Sequence, residues 1–182
     1  MEQSFTINSP IYIDMLPKRD EFYTGVCIKA NSEVFLIVTL DDSMGCYDGL
    51  TLLKNNEIGN IRPLDEEELA AIEINNWQNL ASGIAVGTIN TMGEFFHWAK
   101  KGNKLDSIFT SGRHEGYYVG KVETVLNDSV IVKLIDEMGK WLQSETLSFS
   151  NIDSISFDSF YEREIMEKLD GKAPAADTKK RK

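Results

Sequence analysis

The 182-residue sequence is poor in the residues that catalysis most often uses, with two histidines and two cysteines. His97 sits in "EFFHWAK", between aromatics on a helical stretch, and His114 in the turn-like "SGRHEG". Packing or helix surface suits the first and a solvated turn the second. Cys27 and Cys46 have no CxxC spacing, which argues against a disulfide framework and for a reducing compartment. GxSxG, HExxH, P-loop and dinucleotide-binding glycine patterns are absent. In "LDDSMGCYDG", Asp41, Asp42 and Asp48 miss the one-three-five spacing of a calcium loop, and no glutamate closes it. The expectation is a protein with no catalytic residue, no cofactor and no metal site.

No apolar run approaches the roughly 20 residues that cross a bilayer, so no membrane partner is expected. The opening "MEQSFTINSP" has no basic segment leading into an apolar one and reads as carrying no secretory signal. A cytoplasmic location follows as the expectation. Positive charge is also short: 19 Lys and Arg stand against 29 Asp and Glu, for a net charge of −10. Nucleic-acid binders usually present a basic face that displaces counterions from phosphates, so RNA is disfavoured. An acidic surface suits a basic protein partner reached by electrostatic steering.

What the sequence does contain is self-similarity. "IDMLPKRDEFYTGVCI", from Ile13, aligns with "IFTSGRHEGYYVGKVE", from Ile108. The alignment sets Phe22–Tyr23 against Tyr117–Tyr118 and Gly25 against Gly120. "VTLDDSMG" (38–45) then matches "VKLIDEMG" (132–139) after a one-residue slip, and "NEIGNIRPLDEEEL" (56–69) matches "SNIDSISFDSFYER" (150–163). Within each copy, β-branched runs such as "VFLIVTL" and "SVIVKLI" are bounded by turn formers. Short strands at such spacing signal a small antiparallel barrel or sandwich. A glycine inside a strand permits a bulge, a sharp bend or a close backbone approach, and a strand curling round a small barrel needs the bend, which Gly25 and Gly120 are expected to supply at the same point of each copy.

Three helices punctuate the strands. Asp65 with Glu68, Thr91 with Glu94 and Ser159 with Glu162 each form a capping-box pair. Gly102 marks the stop of the second helix, and Tyr161, Ile165 and Leu169 share one face of the third. The expected organisation is mainly β with a few short helices: a first small barrel over 1–82, a second over 83–170 and a disordered basic tail over 171–182.

The strand series "LDSIFT", "YYVGKVETVLND", "SVIVKLID", "ETLSF" and "NIDSISF", with "IYIDM", "FYTGVCIKAN", "VFLIVTLD", "GLTLL" and "EIGNI" before it, resembles the Sm-like subset of SH3-type small barrels. The resemblance implies two such barrels in tandem, joined by a helical linker. RNA-binding Sm proteins are expected to carry an Asp and an Asn after the strand glycine and an Arg-Gly or Lys-His element near the last hairpin. Asn31 and Asn127 stand nearest the first position and read as turn residues. Arg62 lacks a following glycine, and the second copy has no basic residue there, so no RNA site is carried over.

The aromatics remain. Alternation along a strand sends one member of each pair inward and the other outward. Tyr23, Tyr118 and Trp141, just past the second hairpin, are the candidate partner-binding residues, since a rim ring buries area while its polar tip stays wet. The reading is a non-catalytic protein-binding module, an adaptor or an acidic inhibitor or immunity-type protein, with a tandem Sm-like RNA binder as the alternative.

Overall fold

A computed structural model of the chain describes residues 7–16, 22–41, 46–71, 89–111 and 115–171. The expected domain boundary after residue 82, together with Asp42, His114 and the tail beyond Gly171, lies outside them. The strands are β1 (Pro10–Met15), β2 (Phe22–Ala30), β3 (Val34–Leu40), β4 (Tyr47–Lys54), β5 (Ile58–Pro63), β6 (Asp106–Thr110), β7 (Gly116–Val125), β8 (Ser129–Ile135), β9 (Trp141–Ser148) and β10 (Ile152–Phe157). The helices are α1 (Glu66–Ala71), α2 (Met92–Gly102) and α3 (Phe160–Leu169). The protein is mainly β, as expected. No described helix is long and apolar enough to cross a membrane.

The strands do not form two separately closed barrels. They make one open antiparallel sheet in the order β5-β1-β2-β3-β4-β10-β6-β7-β8-β9, with β5 and β9 at its edges. The join is β4 against β10, where Leu50 pairs with Phe157 and Leu52 with Ile155. Leu50, Leu52 and Leu53 of β4 are all buried, so this strand would make a poor solvent-facing edge. Pairing with β10 covers it.

The register within β1–β5 recurs within β6–β10. Gly25 lies opposite Ile11 and Thr39, and Gly120 opposite Asp106 and Leu134. The β2–β3 ladder shifts between Cys27 and Lys29, and the β7–β8 ladder between Val122 and Thr124. A single 3₁₀ turn, Asn55–Glu57 or Phe149–Asn151, precedes the last strand of each set. Val38 thereby corresponds to Lys133, one residue later than the sequence match suggests. The slip belongs instead to the turn that follows Asp41 and Asp136.

The two glycines answer to sterics. A Cβ on Gly25 would stand 2.5 Å from the Val38 carbonyl oxygen, and one on Gly120 would stand 2.2 Å from that of Lys133. The third strand lies too close in each set for any side chain.

Alternation divides β3 between two cores. Val34, Leu36 and Val38 join Phe95 and Phe96 of α2 in a large cluster that also takes Ile108, Val132 and Ile155 from the second set. Phe35 and Ile37 face Ile11, Ile13 and Cys27 in a smaller one. Helix α3 seats Ile165 on Leu105, Val119 and Ile135, with Tyr161 and Leu169 alongside. Thr91 and Glu94 cap α2 reciprocally, as do Ser159 and Glu162 for α3. Helix α2 ends at Gly102, where expected, but the left-handed cap residue is the next one. Asn103 takes the left-handed conformation at φ 52°, while Gly102 makes room for the Phe157 ring, 2.7 Å from where its Cβ would be.

Candidate binding site

The junction of β4 and β10 carries polar side chains in strands that are otherwise apolar. Thr39 Oγ1 and Thr51 Oγ1 are 2.6 Å apart, and Thr51 reaches Ser156 Oγ at 3.2 Å. Ser156 pairs with Ser107, whose Oγ accepts a hydrogen bond from the Tyr117 hydroxyl at 2.9 Å. The Tyr23 hydroxyl donates to Ser154 Oγ at 3.4 Å. A band of hydroxyls thus crosses the sheet from β3 to β7. It floors a cavity of about 260 Å³ whose walls include Phe22, Tyr117, Asp41, Asp48 and Glu162.

Glu162 is the unusual member. Its Oε2 accepts the Ser159 N–H at 2.6 Å, which caps α3. Its Oε1 has no hydrogen-bond partner among the described residues, yet the residue is only 1% exposed. Burial raises its pKa above the ordinary carboxylate range. Ser107 and the Ser159 cap offset part of that, and Asp48 adds to it. Asp48 accepts a hydrogen bond from the Phe160 N–H at the start of α3. Burial raises its pKa too, while the Phe160 N–H and Arg163 oppose the shift.

The first five strands show the same cap with a different outcome. Glu68 Oε2 accepts the Asp65 N–H at 2.8 Å, so Glu68 holds the place in α1 that Glu162 holds in α3. Arg62, which pairs with Tyr12 across β5 and β1, grips Glu68 with two donors, at 2.7 Å to Oε2 and 2.6 Å to Oε1. The guanidinium lies 4.4 Å above the centre of the Tyr12 ring, and Tyr12 stacks on Phe22 at 5.4 Å. The Arg62 hydrogen bond, with the Asp65 N–H behind it, lowers the Glu68 pKa to about 2. In the second set, the pair that matches Tyr12 and Arg62 in register is Ser107 and Ser156. Both serines line the cavity. Where the first set has a ring and a guanidinium, the second has two short hydroxyls and open space.

The aromatic pairs resolve by exposure. Phe22 and Tyr117, at matching positions, are 50% and 45% exposed and both stand at the cavity. Tyr23 and Tyr118, the residues chosen from the sequence, are their half-buried neighbours. Tyr23 packs on the Ile11 cluster and also reaches the cavity, while Tyr118 packs on the large core. Trp141 opens β9 opposite Ile135 and leans on the α3 cluster, with Lys121 Nζ 6.0 Å from its ring centre. The three therefore do not converge on one surface.

Other sequence candidates fall elsewhere. His97 is on the exposed side of α2. Asn31 is a turn residue: its Oδ1 accepts the N–H groups of Glu33 and Val34, and its Nδ2 donates to the Asn90 carbonyl. Asn127 is exposed in the β7–β8 turn. Cys27 is buried, its thiol pKa pushed up to about 12 by desolvation, and Cys46 is exposed. Thr39, Thr51, Ser107, Ser156 and Glu162 were missed. Their one signal in the sequence is a hydroxyl recurring inside apolar strands, as in "GLTLL" and "DSISF". Comparison with protein-family models, with curated proteins and with solved structures gives no match to this chain.

Proposed function

We propose that this chain is a non-catalytic protein-binding module that holds a basic partner at the cavity between its two five-strand sets. One observation carries the reading: a buried Glu162 oxygen without a hydrogen-bond partner among the described residues lies at a cavity that also takes Asp48 and no Lys or Arg among its described lining residues. Exposed Phe22 and Tyr117 stand at its mouth, where rings serve well as anchors. The net charge of −10 would draw a basic partner toward it.

The finer reading of the fold is two copies of an Sm-like, SH3-type unit fused through β4 and β10. The recurring strand order and ladder shifts support it. That kinship also motivates the second reading, an RNA binder. The acidic cavity and the engagement of Arg62 by Glu68 speak against it.

The test is affinity capture from cells with a photo-crosslinker placed beside the cavity, read by mass spectrometry. A partner retained by the wild type and lost from Phe22→Ala and Tyr117→Ala supports the module. Equal capture by all three proteins, or none by any, counts against it. Salt-sensitive RNA binding at low ionic strength would move the assignment to the second reading.

A further inference from the structure

The cavity's ligand can be read from the set of strands that lacks it. In β1, β5 and α1 the capping glutamate is neutralised from within the chain by a guanidinium that makes two hydrogen bonds and lies on an aromatic ring. The matching glutamate, Glu162, shares its cavity with Ser156 and Ser107, which hold the register positions of Arg62 and Tyr12. The backbone plan is alike at both places, and the cap N–H engages Oε2 in each. What differs is the loss of two large side chains, with a cavity in their place.

From this we infer that the cavity binds a guanidinium group, an arginine side chain of the partner protein, whose N–H donors meet Glu162 Oε1 beside Tyr117. The inference rests on the protein-binding reading for the source of the arginine, though not for the chemistry of the site. A guanidinium fits better than an ammonium here. Its planar fork matches a carboxylate with two donors, it stacks on aromatic faces, and it is more weakly hydrated on entering a buried site. The Ser107 and Ser156 hydroxyls are placed to accept from donors the carboxylate leaves over. Phe22 and Tyr117 flank the entrance, so the arginine stem has apolar surface to cover. Asp48 and Asp41 add negative charge to the wall. Arg163, whose guanidinium lies 5.7 Å from the Tyr47 ring centre and donates to the Asp158 carbonyl, is not among the described residues that line the cavity.

The full chain, isotopically labelled, can be titrated by NMR with acetyl-Gly-Arg-Gly-amide. Parallel titrations use the lysine and citrulline versions of the peptide and free L-arginine. The arginine peptide should shift the amides of Ser107, Tyr117, Ser159 and Glu162. It should bind at least about tenfold more tightly than the citrulline peptide, which keeps the shape and loses the charge. Glu162→Gln, which keeps the α3 cap, should lose that preference. Ser156→Arg restores the internal guanidinium, so it should abolish peptide binding and raise the melting temperature. Equal affinity for arginine and citrulline, shifts centred elsewhere, or an unaffected Glu162→Gln would overturn the site. Equal affinity for the lysine peptide would overturn the guanidinium assignment. Free arginine binding more tightly than the peptide would overturn a protein source while keeping the guanidinium. A cellular partner whose capture ignores Glu162→Gln would leave the module standing without this site, whereas failure to capture any partner leaves the titration's result intact.

Discussion

Replacing Asp106 with valine should stabilise the protein, and by more at pH 7 than at pH 4. Asp106 is fully buried, and neither carboxylate oxygen has a hydrogen-bond partner among the described residues. The position that matches it opposite the other strand glycine is Ile11, which is also fully buried, so the backbone there accepts a β-branched apolar side chain. Removing an unsatisfied buried polar group relieves about 1–3 kcal/mol. Ionisation adds to this. Burial, and then the neighbouring Glu162 charge, hold the Asp106 pKa well above its ordinary value. Below about pH 4 the carboxyl is protonated in both the folded and unfolded chain and contributes no pH term. As pH rises past that point the unfolded chain releases its proton while the folded one keeps it. Wild-type stability then falls by about 1.4 kcal/mol per pH unit until the raised pKa is reached. Valine has nothing to titrate. Urea unfolding followed by tryptophan fluorescence at pH 4, 5.5 and 7 measures the effect. Glu162 shifts in the same direction, so the readout is the difference between the two proteins and not the slope of either. A valine variant less stable than wild type at pH 7, or one whose stability runs parallel to it across this range, would refute the reasoning.

Three further outcomes follow from the geometry. Gly120→Ala should lose about 1–3 kcal/mol in denaturant unfolding because the new methyl meets the Lys133 backbone oxygen, whereas Gly93→Ala meets only ordinary contacts in α2 and should be neutral or stabilising; equal effects would discredit the close-approach account. Arg62→Gln should return Glu68 from a pKa of about 2 toward the ordinary carboxylate value. The depressed Glu68 pKa means its contribution is present above about pH 4 and lost as pH falls toward 2, so the variant should lack that acid-range transition; carboxylate NMR titration decides it. A thiol reagent should modify Cys46 rapidly in the native protein and Cys27 only on unfolding, as peptide mass mapping would show; early labelling of Cys27 would contradict its burial and its raised pKa.

Local features were legible in the sequence because local chemistry determines them. The three capping boxes and the β-branched runs depend on neighbours a few residues away, and each stands where expected. The partner of β4 could not be read. "GLTLL" is equally apolar whether it turns back into its own barrel or joins the next five strands, and only the fold decides that Leu52 meets Ile155. The facing of the aromatic pairs failed for a similar reason. Alternation says that one ring of each pair is outward, but the parity comes from the register of β2 on β1, which puts Tyr23 opposite Ile13 and leaves Phe22 out. The cavity was least visible of all. The hydroxyls of its floor come from five strands spread over more than half the chain, and Glu162 carries the same cap signature as the solvent-facing Glu68.

That pair of glutamates separates two explanations of the cavity. Joining β4 to β10 brings Thr51 against Ser156, and a junction of this kind favours short side chains there. If the open space were only a by-product of that packing, nothing would require the α3 cap to be charged. Glutamine would accept the Ser159 N–H equally well and would avoid the desolvation that raises the Glu162 pKa. The first set shows the alternative solution available to this backbone, a glutamate quenched by Arg62 at the sheet's outer edge. At the junction the chain has kept the acid and dropped the quencher. A buried acid kept at a cavity at the expense of folding is what a site for an incoming cation requires. Glu162→Gln distinguishes the accounts directly: a by-product predicts a gain in stability with binding unchanged, and a site predicts the same gain with binding lost.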